Sequence, residues 1–183
     1  MTRTEALALL QEYTQSDRLR KHAYAVEAAM RAYAARFGED PERWGIVGLL
    51  HDFDYERWPD PPEHTRQGAA ILRARGVDEE IVEAILSHAE WNAIPRDTPL
   101  KKALFAVDEL CGFLVAVALV KPNRTLAEVD VASVRKKMKD RAFARAVRRE
   151  DIVAGAELLG LALDEHIACT LAALQAIHHE LGL

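Results

Sequence analysis

A chain of 183 residues, half of them hydrophobic, carries enough apolar material for one substantial core. Its formal net charge of -5 argues against a general nucleic-acid binder, which needs a basic surface to neutralise phosphates. Two cysteines, Cys111 and Cys169, exclude a disulfide framework and a CxxC zinc pattern, and they read as core thiols of a protein from a reducing, cytoplasmic compartment.

Thr2 followed three residues later by Glu5 predicts a capping box on a first helix through about Tyr13. The opening MTRTEALALL lacks the basic region, long apolar stretch and small-residue cleavage site of a signal peptide. Ser16 caps a long second helix in which Leu19, Tyr24, Val26, Ala29, Met30, Tyr33 and Phe37 recur at helical spacing, and Gly38 stops it. Asp40-Pro41 is a cap followed by proline at the first helical position, and it opens a third helix containing the apolar run Trp44 to Leu50. Three prolines between Asp54 and Glu63 require a loop. A fourth helix runs from about His64 to Arg75 and ends at Gly76, and Asp78 caps a fifth through about His88. Trp91 to Pro99 is loop, and Thr98-Pro99 starts a sixth helix reaching about Val120. Its apolar stretch from Leu110 to Val120 has 11 residues, too few to span a bilayer. Beyond Lys121-Pro122 helices are expected over about Val131 to Arg148, Glu150 to Leu159 and Asp164 to Leu181. No alternating apolar and polar run is long enough for a strand, so the expected fold is an all-α bundle, one domain over residues 1–183.

His51 and Asp52 close the apolar run of the third helix, where burying both is costly unless something neutralises them. A metal ion does so, and His22, His64, His88 and Asp108 are further candidate ligands on separate helices. Helical bundles build metal sites in this way, because facing helices unite ligands distant in sequence. Adjacent helical positions diverge by about 100°, yet both reach one ion at a helix end. Imidazole and carboxylate without thiolate suit one or two divalent transition ions (Mn, Fe, Co, Ni or Zn), with Mg open where carboxylate dominates. A lone histidine is more often a capped or surface group than a ligand, so the ordered set carries the argument. His166, His178 and His179, on the last helix, are read as part of a solvated face.

The order His22, His51-Asp52, His64, His88, Asp108 resembles the HD-domain superfamily of metal-dependent phosphohydrolases, as do the segments KHAYAVEAAMRAYA, GIVGLLHD and LFAVDEL around these residues. The resemblance covers roughly residues 17 to 120, an HD-domain helical bundle, and leaves residues 121–183 as a helical extension. It implies a metal site at His22, His51, Asp52 and Asp108. His64 in HTRQGAAIL and His88 in AILSHAEW look like the extra histidines of HD proteins that bind two metals, including diadenosine tetraphosphate hydrolases and cyclic-dinucleotide phosphodiesterases. The implied activity is phosphoester hydrolysis by metal-activated water, with Asp52 bridging two ions. The implied substrate is a nucleotide or another small phosphorylated metabolite. The same fold also hosts di-iron oxygenases, and a non-catalytic ligand-binding module that keeps its metal as structure is a further alternative.

Many two-metal relatives continue the doublet as His-Asp-Ile-Gly-Lys, whereas this chain reads His51-Asp52-Phe53-Asp54-Tyr55-Glu56. The missing lysine and the missing GYP signature point away from the cyclic-dinucleotide branch. Asp54 or Glu56 is instead expected to act as general base on the attacking water. Lys121 and Arg124, just after the Asp108 helix, are candidate substrate contacts, and Trp91 and Trp58 are candidates for stacking on a base. Eight basic residues against Asp140 alone between Arg135 and Arg149 read as the basic face of an amphipathic helix with Val134, Met138, Ala142 and Ala146 turned inward. Neither nucleic acid nor membrane is an expected partner, and nothing in the sequence sets the oligomeric state.

Overall fold

The computed structural model describes residues 1–183 and is all-α, with ten helices and no strand. Six of them make the first two thirds of the chain: α1 (Arg3–Tyr13), α2 (Asp17–Phe37), α3 (Pro41–Leu50), α4 (Glu63–Ala74), α5 (Glu79–His88) and α6 (Pro99–Leu119). Their starts follow from local chemistry. Thr2 and Glu5 form the reciprocal capping box of α1, and Ser16, Asp40, Asp78 and Thr98 each accept a backbone N–H from the first turn they cap. Gly38 ends α2 in the left-handed conformation.

The two 21-residue helices, α2 and α6, form the axis of the bundle. α3, α6 and α9 (Leu163–Ala176) pack on α2, while α5 and α8 (Arg149–Leu158) pack on α6. One continuous apolar core runs from Ala6 to Leu181 and includes Tyr33, Phe53, Phe113 and Leu104. α2 and α3 touch closely, since a Cβ on Gly48 would stand 2.8 Å from the Val26 carbonyl oxygen and 2.9 Å from Glu27 Cα. This contact sets the end of α3, and therefore His51, beside the first half of α2. No helix is long and apolar enough to cross a membrane.

The last third departs from the periodic expectation. The predicted helix over 131–148 stops early, as α7 (Val131–Met138), and α8 begins only at Arg149 (Arg149–Leu158). Asp140 takes the backbone N–H groups of Ala142 and Phe143, a local turn that competes with the helix. The Arg149 guanidinium then serves the carbonyls of Asp140, Phe143, Ala144 and Val147, replacing the missing helical donors. Ala142 and Ala146 are consequently exposed, and Phe143 turns inward, its ring edge-on to that of Phe113 with 5.6 Å between ring centres. The final helix is also broken, into α9 (Leu163–Ala176) and α10 (His178–Leu181).

His166 corrects the expectation of a solvated face. It is fully buried, where the Tyr33 hydroxyl donates to Nδ1 at 2.6 Å and Nε2–H donates to the Ala106 carbonyl at 2.9 Å. Burial pushes its imidazole down to about 4. His178 and His179, on the short α10, are half-buried and exposed.

Candidate metal centre

Five elements deliver the polar side chains singled out by sequence. His22 projects from the second turn of α2, His51 caps the C-terminus of α3 and Asp52 follows it. His64 lies at a kink in α4, His88 is the last residue of α5 and Asp108 is near the middle of α6. All six converge as two adjoining triads, His22–His51–Asp108 and Asp52–His64–His88. Within the first, Asp108 Oδ1 is 3.0 Å from His22 Nε2 and 3.4 Å from His51 Nε2. Within the second, Asp52 Oδ1 is 3.2 Å from Nε2 of both His64 and His88. The other oxygen of Asp52 is 3.5 Å from His51 Nε2, so this one carboxylate faces both triads.

The histidine rings are oriented from behind. His51 Nδ1 donates to the Gly48 carbonyl at 2.8 Å, His88 Nδ1 to the Ile85 carbonyl at 2.6 Å and His64 Nδ1 to Asp54 Oδ1 at 3.0 Å. A ring whose Nδ1 carries the proton presents Nε2 as a lone pair, the arrangement typical of metal-ligating histidine. Two of the inward atoms, His51 Nε2 and Asp52 Oδ1, are buried without a well-aligned hydrogen bond. Such orphans are expensive in a core, and a divalent ion in each triad would satisfy them. The residues present therefore fit one ion per triad.

Charge balance at the centre is tight. Burial alone would lower His51, but Asp52 and Asp108 outweigh it and push the imidazole up to about 9. His64 is likewise raised to about 9, against burial, by Asp52 and Asp54. Asp52 and Asp108 are held below the usual carboxylate range, burial being overcome first by the charge of His51. A centre that attracts this much proton charge is a centre where divalent cations compete with protons.

The two residues expected to act as general base do other work. Asp54 is buried, and its two oxygens are taken by His64 Nδ1 and, at 2.8 Å, by the backbone N–H of Gly68. It orients a candidate ligand and is itself buried, with one donor already on each oxygen. Glu56 points to the start of α2, accepting the N–H groups of Gln15 and Ser16 at 2.5 and 3.1 Å. Lys121 and Arg124 lie in the turn after α6, which continues for 11 residues past Asp108, about 16 Å of helical rise away from the triads. Trp91 does reach the centre, its ring 5.8 Å from that of His64, with Tyr55 on His64 at 5.1 Å. Trp58 packs on Tyr13 instead, 6.3 Å between ring centres.

Several neighbours carried no sequence signal. Thr65 has φ 68 and ψ -37, a backbone region that a β-branched residue rarely enters. Asn92 secures it by donating to Thr65 Oγ1 at 2.7 Å and to the Leu86 carbonyl at 2.9 Å, which ties the His64 kink to α5. Arg96 donates to the carbonyls of Ser87 and His88 at the C-terminus of α5. Glu109, next to Asp108, is raised to about 7, by burial first and then by the Asp108 charge. Asn92 and Thr65 are 27 residues apart, and although the other contacts are more local, no motif spacing announces them.

Fold and centre together define an all-helical protein with a paired histidine-aspartate cluster. The chain belongs to the HD domain family, whose model matches residues 19–112, from the start of α2 into α6. That family consists mostly of metal-dependent hydrolases and binds divalent metals. Neither the curated proteins nor the solved structures compared with the chain gave a match.

Proposed function

We propose that the protein is a metal-dependent phosphohydrolase for a nucleotide or other small phosphorylated metabolite. In this reading His22, His51 and Asp108 would hold one divalent ion and Asp52, His64 and His88 a second, with the Asp52 carboxylate lying between the two triads. The observation that carries it is the Asp52 carboxylate, which faces both triads, 3.2 Å from two histidines of one and 3.5 Å from His51 of the other. Bound divalent ions supply an acidified water as nucleophile and positive charge against the phosphoryl oxygens. Asp54 acts as a positioning residue that fixes the His64 ring, and the kink at Thr65 aims that ring at Asp52. Tyr55 and Trp91 wall the centre on the His64 side, limiting water there and offering Trp91, which is 41% exposed, to the organic part of a substrate. Two unpaired cysteines fit a reducing compartment.

The test is elemental analysis of protein purified without chelator, paired with phosphate release from a nucleotide panel. One metal per triad and chelator-sensitive release are expected. Half that metal content overturns the two-ion version, and equal metal content in a His51→Ala, Asp52→Ala double variant overturns the centre. Four histidines and two aspartates also suit a di-iron centre. Bound iron with oxygen uptake and no phosphate release would select that oxygenase reading instead.

A further inference from the structure

One residue of the C-terminal extension contacts sequence neighbours of both triads, Glu90 through its side chain and Glu109 through its backbone. Arg148 lies 36 residues beyond the end of the family match, in the irregular stretch before α8. Its guanidinium donates to both oxygens of Glu90 at 3.0 and 3.3 Å and approaches Asp151 at 3.2 Å. Its backbone N–H donates to Glu109 at 3.2 Å. Glu109 adjoins Asp108 of the first triad, whereas Glu90 is two residues from His88 of the second and next to Trp91 at the rim. Arg148 thus links a sequence neighbour of the first triad to a sequence neighbour of the second.

Arg96 stands behind it. Its guanidinium lies 3.7 Å above the Phe105 ring and donates to the carbonyls of Ser87 and His88, but it makes no ion pair with any carboxylate. Arg148, Glu90 and Asp151 are its charged neighbours. Arg96 makes no direct ion pair and Arg148 is held by an exposed glutamate, so two guanidiniums stand close together with Glu90 and Asp151 as their shared counter-charges. The Arg148–Glu90 pair is more than half exposed on both sides, so water screens it and little is lost when it opens. A phosphate offers the guanidinium the same bidentate geometry with greater charge, and it displaces Glu90.

We propose that Arg148, backed by Arg96, forms an anion subsite at the rim of the centre that binds a second phosphoryl group of the substrate. The proposal rests on the phosphohydrolase reading and narrows it, since the preferred substrate then carries two or more phosphoryl groups, one at the metal centre and one on Arg148. Glu90 serves as the internal stand-in for that group when no substrate is present.

The experiment uses the metal-loaded full chain and two probes, inorganic pyrophosphate and orthophosphate, titrated calorimetrically. Pyrophosphate is expected to bind at least about tenfold more tightly than orthophosphate, the effect of one charge-assisted contact. Arg148→Ala removes that preference without lowering metal content, since Arg148 touches none of the six candidate ligands. Glu90→Gln, which releases Arg148, strengthens it. Equal affinities in wild type, or parallel losses for both anions in Arg148→Ala, overturn the subsite. Phosphate release is scored separately on nucleoside mono-, di- and triphosphates. A pyrophosphate preference that depends on Arg148, without phosphate release from any nucleotide, removes the hydrolase reading and leaves the anion subsite standing. Release from monophosphates and triphosphates with equal kcat/KM, in both wild type and Arg148→Ala, removes the subsite and leaves the hydrolase.

Discussion

At the scale of single residues, the centre depends as much on what stands behind the histidines as on the histidines themselves. Asp54 holds His64 Nδ1 and the Gly68 N–H, so Asp54→Asn keeps the shape but weakens the charge that fixes the ring. Metal affinity at the Asp52–His64–His88 triad should fall about 10- to 100-fold, with the other triad unaffected, as read by metal retained after dialysis. Glu56→Gln should leave metal content and turnover unchanged, because Glu56 serves the start of α2; loss of turnover there would restore it as a base. His166 gives a pH prediction of definite sign. Its folded imidazole is held down to about 4 against an ordinary 6.5, so between those values the unfolded chain binds a proton that the folded chain refuses. Stability through this group is therefore complete above pH 6.5 and falls by about 1.4 kcal/mol per unit below it. Urea unfolding of wild type and His166→Gln at pH 7, 6 and 5 isolates the effect, and identical slopes in the two proteins would refute it. The six candidate ligands could be read from sequence because their types and order are linear information. The burial of His166 could not, because its partner Tyr33 lies 133 residues away.

At the scale of helices, local chemistry made most of the first six elements legible, since a cap or proline acts on the turn beside it. The stretch after α7 resisted for the opposite reason. Its sequence keeps helical spacing through Val147, yet the Asp140 turn and the Arg149 guanidinium satisfy the backbone in another way, and Phe143 gains a place against Phe113. The kink at His64-Thr65 was equally silent, because Asn92, which holds it, comes from beyond α5. Packing between helices yields a paired prediction. Gly48→Ala would drive a methyl into the backbone of α2, where Val26 and Glu27 cannot move aside, and should cost about 1–3 kcal/mol. Because Gly48 also accepts from His51, the same variant should lose metal affinity. Gly112, in α6, has nothing within 4 Å of an added Cβ, so Gly112→Ala should be neutral or stabilise by about 0.5–1 kcal/mol. Denaturant midpoints of the two variants decide the matter, and a harmless Gly48→Ala would mean that α2 and α3 can separate without disturbing the centre.

At the scale of the molecule, the extension and the family-matched segment share one interior. The core cluster includes Ile152 of α8 and Ile167, Leu171 and Leu174 of α9 together with the apolar faces of α2 and α6. His166 ties the same surfaces by bonding both Tyr33 of α2 and Ala106 of α6, two residues before Asp108. Removing residues 121–183 would expose this face and leave the Tyr33 hydroxyl without its partner, a loss too large for a marginally stable domain to absorb. The expected behaviour is a single cooperative transition of the full chain, with far-ultraviolet ellipticity and tryptophan fluorescence changing together. A fragment of residues 1–120 should be poorly helical and aggregate through α2 and α6. Divalent metal should raise the midpoint of the full chain by mass action, about 2.7 kcal/mol at a hundredfold excess over Kd, and should fail to rescue the fragment. Two separate transitions, or a folded fragment that binds metal with the affinity of the full chain, would show that the centre stands without the extension. Arg148 would then be an ornament of the rim rather than part of the unit that forms it.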